Sequence, residues 1–199
     1  MANTFSTLLP ITFDVAEAID YYNELKTNYQ HLKWKLPTSA FRRVEDDTYE
    51  PTITGWGILA SGDINKPHQM IDDVGLQGRE FYKETPCVFG FAKKLLDAFP
   101  TAFRIYLTVN TPGVEVLPHI DAKNMPRKTY RITIPIITNE DAVWTTEEGN
   151  VHMPAGGVYL IDWSIMHGTQ NNGTTDRVHF MFEIFEEDIQ RVKDMLVTI

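Results

Sequence analysis

The rhythm of hydrophobic and polar positions changes about halfway along the chain. Over residues 14–31, DVAEAIDYYNELKTNYQH, apolar side chains return at Val15, Ile19, Tyr22 and Leu25. That three-to-four spacing lines one face of a helix, and Asp14 is placed to cap it. Residues 38–85 lose the period: Gly, Pro, Asp and Thr punctuate short apolar pieces such as TITGWGILASG, which predicts irregular structure with a few strands. Thr85-Pro86 then offers a cap and a first helical residue ahead of CVFGFAKKLLDAF, a second helix. From about residue 100 the period shortens. FRIYLTVN (103–110), VEVLPHID (114–121), YRITIPIIT (130–138), AVWTTE (142–147), GNVHMP (149–154), GGVYLID (156–162) and RVHFMFEIF (177–185) are β-rich runs divided by turn residues. Short strands packed this densely predict a sandwich or jelly roll rather than alternating strand–helix units. EEDIQRVKDMLVTI (186–199) closes the chain as a helix. The pattern predicts a single domain, mainly β with flanking helices. Residues 1–99 form a helical and irregular part packed on one face of a β core at 100–185, and 186–199 follow as the C-terminal helix.

Composition narrows the function classes. At 199 residues the chain can bury a real core, and 43% hydrophobic with 23% charged residues is the balance of a globular protein. No apolar run approaches the roughly 18 residues of a spanning helix, so no membrane partner is expected. The N-terminus, MANTFSTLLPITFD, lacks the basic residues and long apolar core of a signal peptide. A single cysteine, Cys87, excludes an internal disulfide and fits a reducing compartment, so a cytoplasmic location is expected. Net charge is −9, and basic residues cluster only in pairs such as Arg42-Arg43 and Arg127-Lys128. A nucleic-acid partner is therefore not expected. An anionic small molecule stays open, because one or two buried arginines can bind a carboxylate whatever the global charge.

Candidate chemistry gathers in the β half. His119-Ile120-Asp121 places two potential metal ligands at i and i+2, on one face of a strand. In a chain with six His and 27 acidic residues, such a pair arises about once by chance. A third ligand must come from elsewhere, and His167 is the best placed. It follows GGVYLIDWSIM and precedes the polar stretch GTQNNGTTD, read as a loop, which sets it at a mouth. Two histidines and one carboxylate suit non-haem Fe(II) with three open positions, and zinc is the competitor. Arg177 lies ten residues after His167, on the strand face opposite Phe180 and Phe182. An inward arginine in an apolar barrel is expensive unless a carboxylate meets it, which asks for an acidic ligand. The bland readings are a surface ion pair of Arg177 with Asp176 or Glu183, hydrogen-bonded structural roles for His152 and His179, and a turn cap at Asp162. Trp144 and Trp163 read as core or rim aromatics.

These residues together resemble the Fe(II)/2-oxoglutarate-dependent dioxygenases built on a double-stranded β-helix, a cupin-like jelly roll. More narrowly the chain is similar to the aspartyl/asparaginyl β-hydroxylase family, which includes free-proline hydroxylases. The resemblance rests on FRIYLTVNTPGVEVLPHID, a strand leading through a Pro/Gly turn to the first His, on LIDWSIMH with Asp162 and Ser164 before the second His, on YRITIPI and on Arg177, and covers roughly residues 100–185. It implies that His119, Asp121 and His167 hold iron and that Arg177 clamps the distal carboxylate of 2-oxoglutarate, helped by the Thr108 hydroxyl. Arg131 would approach the metal-side carboxylate. Thr133 stands where the family often has a His, and the interval from His119 to Arg131 is longer than usual. The implied activity is hydroxylation of an amino acid, a peptidyl side chain or a small metabolite with dioxygen. The rivals are a non-catalytic jelly-roll binding protein and a cupin-like metal isomerase or hydrolase with no use for 2-oxoglutarate. Substrate recognition is expected to draw on the N-terminal half, where Trp34 and Trp56 are the candidates.

Overall fold

The computed structural model of the chain describes residues 5–35, 51–60, 83–121 and 128–199. Most of the stretch expected to be irregular, His68 within it, and the basic residues Arg42, Arg43 and Arg127 lie outside the described residues. In chain order the elements are β1 (Ser6–Leu8), α1 (Val15–Asn28), β2 (Trp34–Lys35), β3 (Ile53–Gly57), β4 (Leu59–Ala60), β5 (Lys83–Glu84), α2 (Gly90–Ala98), β6 (Phe103–Asn110), β7 (Glu115–His119), β8 (Thr129–Ile137), β9 (Ala142–Thr146), β10 (Gly149–His152), β11 (Tyr159–Ile161), β12 (His167–Asn171), β13 (Arg177–Phe185) and α3 (Ile189–Lys193). A seven-stranded antiparallel sheet runs β1-β11-β8-β13-β6-β3-β2, and a four-stranded sheet runs β10-β9-β12-β7. Met181 and Ile161 of the large sheet pack with Trp144 of the small one, closing the two over a shared interior. This is the jelly roll that the strand density predicted and the double-stranded β-helix that the resemblance implied.

The parity of β13 explains how both faces of the large sheet are used. Val178, Phe180, Phe182 and Ile184 alternate with Arg177, His179, Met181 and Glu183, and every one of them is buried. The first set joins Ile132, Ile134 and Ile136 of β8 in the main core, which α1 and α2 cover with Tyr21, Leu25, Phe91 and Leu95. The Phe180 ring lies 5.4 Å from both Tyr21 and Phe91. The second set faces the small sheet and builds the site. A strand buried on both faces needs no solvent-facing polar residues, so the polar members of the inward set are there for one another or for a ligand.

The first helix forms as the periodicity predicts, and the Asp14 carboxylate accepts hydrogen bonds from the Ala16 and Glu17 amides. The second does not start at Pro86. Thr85 Oγ1 accepts from the Cys87 N–H and donates to the Gly57 carbonyl, which holds residues 85–87 as a turn against β3. Helix α2 begins only at Gly90, whose φ of +46° is the left-handed conformation that glycine adopts without strain. The C-terminal helix is also shorter than expected. After Lys193 the chain runs back so that Thr198 bridges Thr12 and Ile199 enters the main core. The polar stretch after His167 is a loop only over residues 172–176; its first part belongs to β12, where Thr169 and Asn171 are buried. A Cβ at Gly168 would sit 2.5 Å from the Val116 carbonyl oxygen, so the close pairing with β7 requires glycine there. No helix among the described residues is long and apolar enough to cross a membrane.

Candidate active site

Two strands of the small sheet bring the histidines together. His119 at the end of β7 pairs directly across from His167 at the start of β12, with ring centroids 4.7 Å apart. Asp121 follows in a bend just beyond β7 rather than within it, yet its carboxylate still reaches both rings. Oδ1 lies 3.2 Å from His119 Nε2 and Oδ2 lies 3.7 Å from His167 Nε2. One potential ligand atom from each of the three residues falls within 4.8 Å of the others. His119 Nδ1 is 2.8 Å from the Leu117 carbonyl and His167 Nδ1 is 2.7 Å from that of Ile165. Both contacts favour a proton on Nδ1 and a lone pair on Nε2, the tautomer a metal needs. His167 Nε2 is buried with no hydrogen-bond partner. The donor set and the tautomers fit a divalent cation.

Burial opposes charge on Asp121, but the Arg131 guanidinium, with the adjoining His119 and His167 imidazoles, holds the carboxyl well below the usual carboxylate range. Asp121 in turn raises the His119 pKa. Arg131 Nη1 donates to Asp121 Oδ2 at 3.0 Å and Nη2 to Glu183 Oε1 at 3.4 Å. Its guanidinium carbon sits 4.0 Å over the Trp163 ring, and that indole is fixed by its own bond to the Thr129 carbonyl at 2.9 Å. Arg131, expected beside the cosubstrate, is thus already engaged by a carboxylate on each side.

The ligand residues open onto a cavity of about 220 Å³ between the sheets. Arg177, at the start of β13, lines it and is 1% exposed. The surface pairing with Asp176 or Glu183 does not occur: its Nε and Nη2 have no hydrogen-bond partner, and its guanidinium carbon lies 5.2 Å from the centre of the Trp144 ring. Burial pushes the guanidinium pKa down to about 9, so it is still charged at neutral pH. Thr108, on the adjacent strand β6, also lines the cavity, and its hydroxyl makes only a long 3.4 Å bond to the His179 carbonyl. Trp144 spans the gap, with its ring 5.6 Å from that of His167.

Several other expectations resolve on inspection of their partners. His152 stays out of the metal cluster, with Nδ1 3.3 Å from the Ala142 carbonyl. His179 is not the hydrogen-bonded histidine expected, because it is buried with neither ring nitrogen partnered. Burial, together with the charges of Arg177 and His152, holds its pKa well below the usual value. Asp162 does cap its turn, accepting from the Ser164 amide at 3.1 Å. Trp34 lines the cavity, whereas Trp56 points to the helix side and donates to the Tyr29 carbonyl. Trp144 is a cavity wall and Trp163 a buried platform. Sequence reasoning missed Arg104 and Tyr106, and considered Glu183 only as a surface partner of Arg177. The first two share the parity of Thr108 on β6, and Glu183 that of Arg177 on β13, so extending the alternation by a few residues would have found them.

A model of the family described as aspartyl/asparaginyl beta-hydroxylase matches residues 74–187, more than half of the chain. No curated protein matches the chain by sequence. Among solved structures, AviO1 from Streptomyces viridochromogenes Tue57 is similar at 16% identity over 86% of this chain and 84% of that one, with a TM-score of 0.51. An oxidoreductase of the 2OG-Fe(II) oxygenase family from Burkholderia pseudomallei is 14% identical over 85% and 90% of the two chains, with a TM-score of 0.42. A cupin-like protein from Thermotoga maritima is 11% identical over 80% and 92%, at 0.40. At these identities the likeness concerns the fold alone.

Proposed function

Because the chain belongs to the aspartyl/asparaginyl β-hydroxylase family, we propose that it is an Fe(II)- and 2-oxoglutarate-dependent dioxygenase that hydroxylates an amino acid, a peptidyl side chain or a small metabolite. The observation that carries this reading is the buried, unpartnered guanidinium of Arg177 in the same cavity as the His119, Asp121 and His167 cluster. A buried cation with free donors calls for an anion, and the cluster calls for a metal. A keto acid with a second carboxylate satisfies both at once. A cupin-like isomerase or hydrolase would use the three ligands and leave Arg177 without a purpose.

His119, Asp121 and His167 would hold the iron. Bound iron and 2-oxoglutarate supply the oxidising power, coupling decarboxylation of the keto acid to succinate and carbon dioxide with insertion of one atom of dioxygen into a C–H bond. The chain's own part is to bind and to orient. Arg177 offers two parallel N–H donors to the distal carboxylate, and the Thr108 hydroxyl, weakly engaged in the ligand-free protein, turns to the same group. Trp144 walls the path between Arg177 and His167 and keeps water from it. Trp34, Ile53, Tyr106 and Val116 line the remaining wall and would face the substrate.

The test is an anaerobic titration of Fe(II)-loaded protein with 2-oxoglutarate. A visible charge-transfer band that saturates with the keto acid is expected, followed by succinate formation when candidate amino acids, peptides or other metabolites are supplied with dioxygen. Metal binding with no response to 2-oxoglutarate would replace this reading with the isomerase or hydrolase one. No metal binding at all would leave the jelly-roll binding protein.

A further inference from the structure

Glu183 is the most deeply buried carboxylate among the described residues, at 0% exposure, on the inward face of β13. Its Oε1 accepts from Arg131 Nη2 at 3.4 Å and from Arg104 Nη1 at 3.3 Å, while Oε2 has no partner. Burial pushes its pKa up, against the pull of the two guanidinium groups. Nothing in the assigned chemistry uses this residue, and a buried carboxylate is costly to keep without a purpose. Arg104 reaches it from a backbone held at φ +52°, a conformation rare for any residue but glycine, so the contact is maintained against local strain.

We propose that Glu183 is a positioning residue for the metal site, acting through Arg131 on Asp121; this rests on the reading that His119, Asp121 and His167 hold a metal. The geometry is a relay. Glu183 takes one arm of the Arg131 guanidinium and the Trp163 face supports its plane, so the other arm is aimed at Asp121 Oδ2. With Oδ2 occupied, Oδ1, the oxygen nearest His119 Nε2, is the one left for a cation. The Asp121 bend follows the end of β7, so no strand pairing of its own fixes the carboxylate. Arg131 supplies that restraint. Glu183 also offsets the Arg131 charge, which would otherwise repel a divalent cation from a few ångströms away and tie up Asp121.

The experiment is a Co(II) titration of metal-free protein, read by the visible absorption of the bound ion and by affinity, with thermal melting as the check on folding. Glu183→Met removes the acceptor at similar volume. It should weaken Co(II) binding by about tenfold, within the range for residues that support metal ligands, and change the band shape. Glu183→Gln keeps an oxygen in place and should lose about threefold, which keeps the test available if the Met variant does not fold. Arg131→Met alone should weaken Co(II) binding as well, and adding it to either Glu183 variant should cost little more than the larger single loss, because Glu183 acts through Arg131. A merely structural Glu183 would add its loss to that of Arg131→Met. If both Glu183 variants fold and bind Co(II) as the parent does, or if the losses in the double variants are additive, the proposal is overturned. Parent protein that binds Co(II) no better than His167→Ala would instead overturn the metal-site reading itself.

Discussion

Replacing Arg177 by Met should make the ligand-free protein more stable and the cosubstrate complex weaker. The guanidinium is 1% exposed, and two of its nitrogens lack partners. Each unsatisfied buried polar group costs about 1–3 kcal/mol, and a charged one more. Methionine keeps the apolar stem against Trp144 and deletes the charge. A gain of about 1–3 kcal/mol in the free protein raises the melting temperature by roughly 2–4 °C per kcal/mol in a domain of this size. The same substitution removes a charge-assisted pair from the 2-oxoglutarate complex, a loss of about 2–4 kcal/mol if the clamp is fully buried. That is roughly 30- to 700-fold in the dissociation constant. Iron affinity should change little, because Arg177 is not among the clustered ligands. Two measurements suffice: melting of the metal-free protein, and anaerobic 2-oxoglutarate titration of the Fe(II)-loaded one. A variant that binds the keto acid as well as the parent refutes the clamp. A variant that is less stable without ligand shows that the cation has a partner in the free protein and removes the argument from cost.

His119→Ala and His167→Ala should each abolish most Fe(II) binding by anaerobic titration, while His152→Ala, outside the cluster, should leave it intact; the reverse pattern would identify a different third ligand. Thr108→Val should weaken 2-oxoglutarate binding by about 1 kcal/mol, the scale of one neutral hydrogen bond, with little effect on melting because the bond it gives up is long. Cys87, fully buried with its pKa pushed up to about 11 by burial, should resist alkylation at pH 8 until the protein is unfolded. Its folded pKa lies above its unfolded one, so its contribution to stability is intact below about pH 9 and is lost as the pH rises toward 11, which melting curves across that range would register.

What the sequence made legible follows from how local each signal is. The His119-x-Asp121 spacing survives a misjudged strand end, because a bend and a strand both leave residues two apart near one another. Arg177 was readable because Phe180 and Phe182 fix the outer face of its strand by parity alone. The strand β12 was not readable. Its inward residues Thr169 and Asn171 are polar, and the Asn171 amide is satisfied by the carbonyls of Asn110 and Thr175 and by the Asn139 side chain, a match visible once the strands are paired. The start of α2 was misplaced because the Thr85 hydroxyl serves a turn tied to Gly57, a contact across 28 residues that no local cap pattern contains. Arg104 and Glu183 sit 79 residues apart, and only the register of β6 against β13 makes them partners.

The distribution of hydrogen bonding in the interior separates scaffold from site. Asn171, Trp163 and the Tyr21 hydroxyl are buried polar groups with partners at 2.7–2.9 Å, and each ties one element to another. Arg177, Trp144, Trp34 and the Nε2 of His167 are buried polar groups with unpartnered atoms, and all four residues line one cavity. Thr133, His179 and Glu183 also carry unpartnered atoms without lining it, so the separation is one of concentration rather than of kind. A fold that can satisfy Asn171 through two separate carbonyls has the means to satisfy an indole N–H. Leaving several donors around the same space costs stability that the free protein must draw from its core. On the proposed function, a ligand rich in acceptors returns that cost, and its binding accounts for the unpaired groups gathered between Arg177 and the two histidines.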